Sequence, residues 1–274
     1  MTVEWNPQQY LRFADQRARP YVDLMARVGV ESPAYVVDLG CGPGNLTETL
    51  LDRWPDAYVE GIDSSPQMIE SAKPLEQSGR LAFRVGDLRD WKPSGPVDLL
   101  VSNATLQWVD DHLELLPSLV EQIAPGGWFA FQVPGNFHEP SHRLLVELAS
   151  SPAFAEHFTG RELRVPHSYD PAVYLDALAR TGCVVDAWET TYLYLLHGED
   201  PVLEWIKGTG ARPYFQALPD DETRSAFEDA YRERLRAAYP PKPYGTVLPY
   251  RRIFAVAQKA QKPQKAQKSN GTDA

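Results

Sequence analysis

The chain has 274 residues, of which 43% are hydrophobic and 23% are charged, and its formal net charge at pH 7 is −10. This length suffices for one large α/β domain with a sizeable core, and the composition excludes a chiefly disordered chain. The negative charge argues against nucleic acid as the main partner, and no apolar run approaches the roughly 18 residues that a membrane span requires.

The cellular compartment is indicated by the N-terminus and the cysteines. The opening M-T-V-E-W-N-P lacks the basic and apolar regions of a secretory signal. Cys41 lies within a glycine-rich turn, a poor place for a structural disulfide, so we expect Cys41 and Cys183 to be reduced thiols. These features together predict a cytoplasmic protein.

Strands and helices alternate along the first half of the chain. A short helix is predicted to begin at Asn6 and Pro7, and a second helix covers residues 19–28. Strands are predicted at 36–39, 58–63, 81–87, 97–103 and 128–134, with a turn at 125–127 before the last of them. This order predicts right-handed βαβ units in a doubly wound, Rossmann-like sheet, so the fold class is α/β.

The second half adds two strands and a group of helices. Helices are predicted at 139–150, 171–181 and 220–238, and strands at 184–197 and 251–257. The roughly fifty residues between these two strands exceed what a plain crossover needs. We therefore expect a seven-stranded sheet with an N-terminal helical lid and a helical cap, formed by residues of about 136–170 and 198–248, over the substrate.

The C-terminal residues 259–274 differ in composition from the rest. Their four lysines and one aspartate carry +3, which leaves −13 on the remaining residues. A repetitive Ala, Gln and Lys sequence cannot bury a core, so we predict a disordered, solvated tail after a single domain at 1–258. A basic tail can also contact RNA or a membrane surface, but the solvated tail is the favoured interpretation.

Residues 36–44 read V-V-D-L-G-C-G-P-G, a buried strand that ends in a glycine turn. Gly40, Gly42 and Gly44 allow positive φ and remove side chains that would bar a ligand. Asn45 is predicted to be the N-cap of the next helix, with Glu48 in a capping-box position. The G-x-G-x-G spacing differs from the G-x-G-x-x-G of nicotinamide-binding proteins.

Polar residues follow the next three strands, at the sheet edge where such folds bind ligands. Asp63 ends the second strand, 19 positions after Gly44, where an acid reaches ribose hydroxyls, although it can instead cap the following turn. Asp87 follows the third strand. The segment N-A-T-L-Q-W at 103–108 follows the fourth, where Asn103 can alternatively cap a helix and Trp108 can belong to the core.

With Asp38 before its first glycine, D-L-G-C-G-P-G resembles motif I of the S-adenosylmethionine (SAM) methyltransferases of class I. A closer resemblance, to the trans-aconitate 2-methyltransferases, spans residues 4 to about 258. It is carried by W-N-P-Q-Q-Y-L-R-F-A-D-Q-R-A-R-P, G-I-D-S-S-P-Q-M, N-A-T-L-Q-W, E-P-S-H, W-I-K-G-T-G-A-R-P and R-R-I-F-A-V-A. The Lys-rich tail and His138 depart from that pattern, and His138 is predicted to be a surface or loop residue.

The resemblance implies methyl transfer from SAM to a carboxylate of trans-aconitate, which gives a monomethyl ester and S-adenosylhomocysteine. It implies that Asp38 binds the SAM ammonium, that Asp87 contacts the adenine amino group, and that residues 103–108 wrap the methionine side. The cofactor-binding residues expected on this basis are Asp38, Gly40, Cys41, Gly42, Gly44, Asp63, Ser64, Met68, Asp87, Leu88, Asn103 and Leu106.

The chemistry of that reaction asks for positioning and positive charge. A carboxylate with a pKa near about 4 is ionised at neutral pH, so the nucleophile needs no general base and no metal. The six histidines form no H-x-x-x-H or Cys/His cluster. A small polycarboxylate needs local positive charge, and guanidinium groups bind carboxylates in a bidentate manner without losing their proton.

Arginines in the group-specific segments are the candidate substrate ligands, although each alone is more often a surface ion-pair partner. They are Arg12, Arg17, Arg19, Arg212, Arg251 and Arg252, with Arg212 and Arg252 the firmest. Tyr10 is predicted to belong to a lid over SAM, and Gln107 to contact the acceptor. Trp205 and Tyr214 are candidate aromatic walls that can equally be core. Substrate contacts are predicted for Tyr10, Arg17, Gln107, Trp108, Arg212 and Arg252, with no residue acting as an acid or base.

Two alternatives stay open at this level. One keeps SAM and a carboxylate but uses another acceptor, such as a malonyl group on an acyl carrier protein. The other is a nicotinamide-dependent oxidoreductase or a SAM-binding protein without catalysis. The oligomeric state and the carboxylate that is methylated are not determined by the sequence.

Overall fold

The computed structural model describes residues 14–161, 163 and 165–261. The predicted helix at Asn6 and Pro7, together with Tyr10 and Arg12, lies outside the described residues. Arg17 lies within the first described helix, but its side chain is outside the description. What the structure shows therefore begins with the helix Ala14–Met25.

A seven-stranded sheet forms the centre of the protein. Its strands, in chain order, are β1 Tyr35–Leu39, β2 Tyr58–Asp63, β3 Leu81–Val85, β4 Val97–Asn103, β5 Ile123–Pro134, β6 Cys183–Leu196 and β7 Thr246–Lys259. The spatial order is β3-β2-β1-β4-β5-β7-β6, and β7 runs antiparallel to both of its neighbours. The predicted α/β fold with a doubly wound seven-stranded sheet is confirmed.

Helices connect the strands and cover both faces of the sheet. They are α1 Ala14–Met25, α2 Asn45–Glu48, α3 Leu50–Arg53, α4 Pro66–Ala72, α5 His112–Glu121, α6 Pro140–Ala149, α7 Ala155–Phe158, α8 Pro171–Ala179, α9 Pro201–Lys207, α10 Arg212–Ala217 and α11 Asp221–Ala238. Short 3-10 turns cover Lys73–Leu75 and Leu106–Trp108.

Three local predictions differ from the structure. Gly44, with φ of 81°, takes the N-cap position of α2, so the prediction that Asn45 is the cap is wrong. The third strand ends at Val85, two residues before Asp87. The predicted turn at 125–127 lies within β5, where the register against β4 shifts between Val97 and Leu99. A bulge absorbs the extra residues there without ending the strand.

The core lies on both sides of the sheet because the central strands are buried on both faces. The neighbouring residues Val36 and Val37 of β1 are both fully buried, and they belong to different apolar clusters. Alternate side chains of one strand point to opposite faces, so one short apolar run supplies both layers.

The two predicted cap segments pack against each other. The Tyr239 hydroxyl, just after α11, accepts a hydrogen bond of 3.0 Å from the backbone amide of Ser141 at the start of α6. The Tyr231 hydroxyl donates to the carbonyl of the same serine. Phe154 and Phe227 meet edge to face, with ring centroids 5.1 Å apart. Residues far apart in the chain thus form one helical layer beside the sheet.

The last strand extends further than predicted. It includes Lys259, which the sequence analysis assigned to the tail, and the Lys259 ammonium donates to the carbonyls of Val120, Glu121 and Ile123 at 2.7–3.2 Å. The lysine is therefore a structural residue that closes the C-terminal end of α5. Within the described chain, no helix has both the length and the apolar character needed to cross a membrane.

Candidate active site

A cavity of about 650 Å³ lies at the carboxyl ends of β1 to β4. This volume falls within the range usual for cofactor sites. Eight of the predicted cofactor-binding residues line it: Gly40, Gly42, Asp63, Ser64, Met68, Asp87, Leu88 and Asn103. The topology brings them together because parallel strands end at the same edge of the sheet. We refer to this space as the cofactor cavity.

Gly42 and Gly44 have different roles in the turn after β1. Both have positive φ, of 56° and 81°. A Cβ added to Gly42 would meet nothing within 4 Å, so this glycine leaves open space at the cavity. A Cβ at Gly44 would lie 2.6 Å from the ring of Phe83. Gly44 is therefore required by packing against β3, and it is not among the described lining residues.

Asp63 both holds the turn and faces the cavity. Its Oδ2 accepts a hydrogen bond from the amide of Gly42 at 2.9 Å, and its Oδ1 accepts one from the amide of Ser65 at 2.8 Å. Burial raises the pKa of Asp63, and these two amides oppose the shift. Each carboxylate oxygen has more than one acceptor site, so the carboxylate can still receive hydroxyls from the cavity. The turn-capping alternative is thus compatible with ligand binding.

Asp38 is buried beneath the glycine turn. Thr47 Oγ1 donates to its Oδ2 at 2.7 Å, whereas its buried Oδ1 has no hydrogen-bond partner among the described residues. Burial raises the pKa of Asp38 to about 7, and the Asp63 carboxylate adds to the shift. Asp38 is not among the lining residues, so it lies one layer below the cofactor cavity, with one oxygen available.

Asp87 is held by a neighbouring arginine. Arg89 donates from Nε and Nη2 to the two carboxylate oxygens, and its backbone amide donates to Oδ1 at 2.9 Å. This fork fixes the carboxylate at the rim of the cofactor cavity, where both residues are among the lining residues.

Two further predicted cofactor residues face away from the cavity. Leu106 is fully buried in an apolar cluster, because the 3-10 turn that begins there directs it into the core. Cys41 is also buried, its thiol 3.6 Å from the carbonyl of Gly42, and burial raises the thiol pKa well above its usual range. Both cysteines in the described chain are free, as predicted.

A second, smaller cavity of about 50 Å³ adjoins the first. The two share Asn103, Ala104 and Trp108. Helix α6, the segment after α9 and strand β7 supply most of its other walls, which include Gln107, His142, Trp205, Tyr250 and Arg252. We refer to it as the acceptor cavity, because it meets the cofactor cavity at the segment that follows β4.

Arg252 is a buried guanidinium in the wall of the acceptor cavity. The residue is 5% exposed, and its Nε has no hydrogen-bond partner among the described residues. Its neighbours are neutral: Nη1 lies 3.5 Å from Gln132 Oε1, and the guanidinium carbon lies 4.6 Å from the centroid of Tyr250. Burial raises the pKa of the Tyr194 hydroxyl, and Arg252 opposes that shift. No carboxylate of the described chain forms an ion pair with Arg252.

The other candidate arginines lie elsewhere. Arg251 forms ion pairs with Asp170 and Glu189 and is not among the residues that line the acceptor cavity. Arg19 is exposed and stacks over the ring of Tyr192 at 4.9 Å. Arg212 begins α10 and is half-buried, two residues after Gly210 of the acceptor cavity, but it is not among the residues that line that cavity.

The remaining predicted residues divide between cavity and core. Gln107 lines the acceptor cavity; its Nε2 donates to the carbonyl of Ala104 at 2.6 Å, and its buried Oε1 has no partner in the described part of the chain. Trp205 is a wall of the same cavity, whereas Tyr214 packs in the apolar core. His138 is exposed in the loop before α6, as predicted.

Comparison with known proteins agrees with this architecture. A family model for the methyltransferase domain matches residues 10–186. The protein named trans-aconitate 2-methyltransferase in Streptomyces avermitilis is 52% identical over 261 residues, which cover 93% of this chain and 97% of the relative. Those of the same name in Rhodococcus jostii and Mycobacterium tuberculosis are 50% and 46% identical, again over 93% of this chain and over 99% and 96% of the relatives.

The chain belongs to the trans-aconitate 2-methyltransferase family.

Solved structures show how far the fold of this trans-aconitate 2-methyltransferase family member extends. The YcgJ protein of Bacillus subtilis aligns with a TM-score of 0.58 at 12% identity, covering 89% of this chain and all of the other. A phosphoethanolamine N-methyltransferase of Haemonchus contortus, solved in complex with S-adenosyl-L-methionine, aligns with a TM-score of 0.53 at 17% identity, over 89% of this chain and 53% of the other. At these identities the likeness shows the fold alone.

The sequence analysis missed His142 and Asn136 of this family member. His142 is buried and lines the acceptor cavity, and Asn136 is buried beside it. The signal was present, because E-P-S-H was one of the group-specific segments, but no role was assigned to its histidine. No group of three or more His, Cys, Asp or Glu side chains suited to a metal ion occurs within the described ranges.

Proposed function

We propose that the protein transfers a methyl group from SAM to one carboxylate of trans-aconitate, which yields the monomethyl ester and S-adenosylhomocysteine. Two observations support this proposal: the relatives of this name are 46–52% identical along nearly their whole length, and the guanidinium of Arg252, buried in the wall of the acceptor cavity, has no anionic partner among the described residues. The buried guanidinium is the observation on which the substrate class, a small polycarboxylate, depends.

The described residues fit SAM at the cofactor cavity. The open space at Gly42 leaves room for a ligand against the turn, and Asp63 offers free lone pairs to ribose hydroxyls. Asp38 has an unpaired oxygen that would pair with the ammonium group, directly or through a water. Asp87 would accept from the adenine amino group at the rim. When bound, SAM supplies an electrophilic methyl group on a positively charged sulfur.

Arg252 supplies what a polycarboxylate acceptor needs. A charge buried without a counter-charge is costly, and a carboxylate that enters the cavity removes that cost through charge-assisted hydrogen bonds. Because the guanidinium is fixed among Tyr250, Tyr194 and Gln132, it selects both the charge and the position of the acceptor. The chain carries a net charge of −10, so a polyanionic acceptor has to be held by a local positive group such as Arg252.

The remaining task of the chain is alignment. An acceptor carboxylate is already ionised at neutral pH, so no side chain has to remove a proton from it. The residues shared by the two cavities, Asn103, Ala104 and Trp108, lie where cofactor and acceptor meet. Trp108 lines both cavities and Trp205 lines the acceptor cavity, so aromatic walls would limit the access of water to the reacting groups. Correct positioning of two reactants is worth up to roughly 7–11 kcal/mol.

A methyl-transfer assay with labelled SAM tests the proposal. Purified protein is incubated with trans-aconitate, cis-aconitate, citrate, monocarboxylates and a malonyl-acyl carrier protein, and the methyl ester is identified by mass spectrometry. We expect trans-aconitate to exceed the other acids by at least tenfold in kcat/KM. Preference for a malonyl group on an acyl carrier protein, or turnover with no acid in the set, would contradict it.

The two free cysteines suit a reducing compartment, so we place this activity in the cytoplasm.

A further inference from the structure

His142 has its two ring nitrogens in different surroundings. The residue is buried at the third position of α6, and its Nδ1 contacts neighbouring polar side chains of the protein. Asn136 Nδ2 lies 3.2 Å from Nδ1, and Ser141 Oγ lies 3.1 Å from it. The ring of Phe137 packs edge-on against the imidazole, with centroids 5.2 Å apart. These contacts hold the ring in one orientation.

The hydrogen-bond partners of Nδ1 select one tautomer. The Asn136 amide NH₂ brings hydrogens to Nδ1 and is satisfied if Nδ1 is an acceptor, and the Ser141 hydroxyl can also donate there. A proton on Nδ1 would instead face the hydrogens of Asn136 Nδ2. The proton of the neutral imidazole therefore belongs on Nε2, in the way that such contacts generally set the histidine tautomer.

Nε2 faces the acceptor cavity. Both His142 and Gly210 line that cavity, and a Cβ added to Gly210 would lie 2.5 Å from Nε2. The absence of a side chain at Gly210 thus makes room for the imidazole at this edge of the cavity. Within the described residues, Nε2 has no hydrogen-bond partner, whereas Nδ1 has two.

We propose that His142 is a substrate-binding residue, whose Nε2–H donates a hydrogen bond to an acceptor carboxylate and so determines, together with Arg252, which polycarboxylate is accepted. This inference rests on the proposed function, because it assigns a ligand to the same cavity. Arg252 attracts the acceptor carboxylates through its positive charge, whereas the neutral His142 orients one of them through a directed hydrogen bond. Two donors on different walls can each bind a different carboxylate of one molecule, so we expect the pair to favour polycarboxylates over monocarboxylates.

The same geometry excludes a general-base role for His142. An Nε2 that already carries a proton has no lone pair with which to accept another, and protonation of Nδ1 would create a buried cation. Burial lowers the pKa of His142 to about 4, so the imidazole is neutral at physiological pH. The histidine is therefore a neutral donor at neutral pH, where the acceptor carboxylates are ionised.

Two substitutions at His142 distinguish the contribution of Nε2 to substrate binding from that of Nδ1. His142→Gln places an amide NH₂ near the position of Nε2, whereas His142→Asn places one near Nδ1. We expect His142→Gln to retain kcat/KM for trans-aconitate within about threefold, and His142→Asn to lose roughly tenfold or more, mainly through KM. The Kd for S-adenosylhomocysteine should be the same in both, because that ligand occupies the other cavity.

Nitrogen-15 NMR of the wild-type protein provides a measurement that does not depend on folding of the variants. We expect Nε2 of His142 to carry the proton and Nδ1 to show the shift of an unprotonated ring nitrogen. A proton on Nδ1, or equal losses in the Gln and Asn variants, would overturn the assignment. If wild-type protein binds S-adenosylhomocysteine but does not methylate trans-aconitate, the proposed function fails, and the NMR result still decides the tautomer.

Discussion

Arg251 and Arg252 are consecutive residues of β7, yet their side chains lie in opposite electrical surroundings. Arg251 is paired with Asp170 and Glu189. Arg252 is buried among Gln132, Tyr194 and Tyr250, and none of these is an anion. Neighbouring residues of a strand face opposite sides of the sheet. Arg251 therefore takes part in surface ion pairs, whereas Arg252 is buried in the wall of the acceptor cavity.

Substitution of Arg252 separates stability from activity. We expect Arg252→Met to raise KM for trans-aconitate by roughly 10- to 100-fold, because a charge-assisted hydrogen bond to the acceptor is lost. The free energy of unfolding of the ligand-free protein should be unchanged or higher, because the variant no longer buries an unpaired charge. Steady-state kinetics and urea unfolding measure the two effects.

Arg251→Met is the matched control for that substitution. It removes a guanidinium one residue away, whose partners are partly exposed, so a loss of stability of about 1 kcal/mol or less and unchanged KM are expected. If both variants raise KM equally, Arg252 has no special role in binding the acceptor.

Gly42→Ala should abolish cofactor binding without unfolding the protein. The added methyl group meets no protein atom within 4 Å, so it projects into the space that SAM would occupy. Its positive φ costs about 1–2 kcal/mol of stability. Isothermal titration with S-adenosylhomocysteine should show at least a tenfold weaker Kd.

Gly79→Ala reproduces the backbone strain away from the cavity. Gly79 has φ of 74° and also has nothing within 4 Å of an added Cβ. Its variant should lose a similar amount of stability and bind S-adenosylhomocysteine as the wild type does. Equal Kd values for the two glycine variants would argue that the ligand does not approach Gly42.

Asp38 should make the ligand-free protein less stable as the pH rises. Its pKa is about 7 in the folded state, against about 4 when unfolded, so the folded protein binds the extra proton between these values. The stabilisation from this proton is fully present below pH 4 and is lost as the pH rises through 7. Urea unfolding at pH 5.5, 6.5 and 7.5 should show that Asp38→Asn lacks this component.

The comparison of wild type with Asp38→Asn isolates this group from the buried histidines. Burial lowers the pKa of His112 and His142 to about 4, so they oppose the trend by removing stability as the pH falls from about 6.5 to 4. Below about pH 7, the stability difference between the two proteins should change by up to about 1.4 kcal/mol per pH unit. A constant difference would show that Asp38 is ionised across the range.

Lys259 should contribute to stability but not to catalysis. Its ammonium donates to three carbonyls at the end of α5, remote from both cavities. We expect Lys259→Met to lower the free energy of unfolding by about 1–2 kcal/mol and to leave kcat and KM unchanged. Lys92→Met, at an exposed lysine, is the control and should change neither. If Lys259→Met is as stable as the wild type, Lys259 behaves as part of the solvated tail and makes no structural contribution.

The cofactor cavity was largely predictable from local patterns. Asp63, Asp87 and Asn103 follow buried apolar runs, and parallel topology brings the ends of such runs to one edge. Leu106 and Gly44 were assigned to the same site because they lie in the same motifs. Whether a residue of a motif faces ligand or core depends on one turn of backbone, which the motif does not specify.

The acceptor cavity shows the limit of that reasoning. The sequence analysis ranked Arg252 above Arg251 by family resemblance alone, because the physical difference between them arises from Asp170, Glu189 and the aromatic residues of β6 and β7 that folding brings near. His142 was one of six histidines with no spacing signal. The role that we propose for His142 follows from its burial beside Asn136 and Gly210. Gly210 is distant in the chain, and Asn136 belongs to no motif.

The amino-acid sequence by itself determined the α/β fold, the glycine turn, the strand-end acids and the family, because each depends on residues that are close together in the chain. The tertiary structure alone decided which arginine is buried without a carboxylate partner among the described residues, and which histidine lines the acceptor cavity. Burial and charge pairing are sums over neighbours from distant segments, and these neighbours exist only after the cap has packed against the sheet.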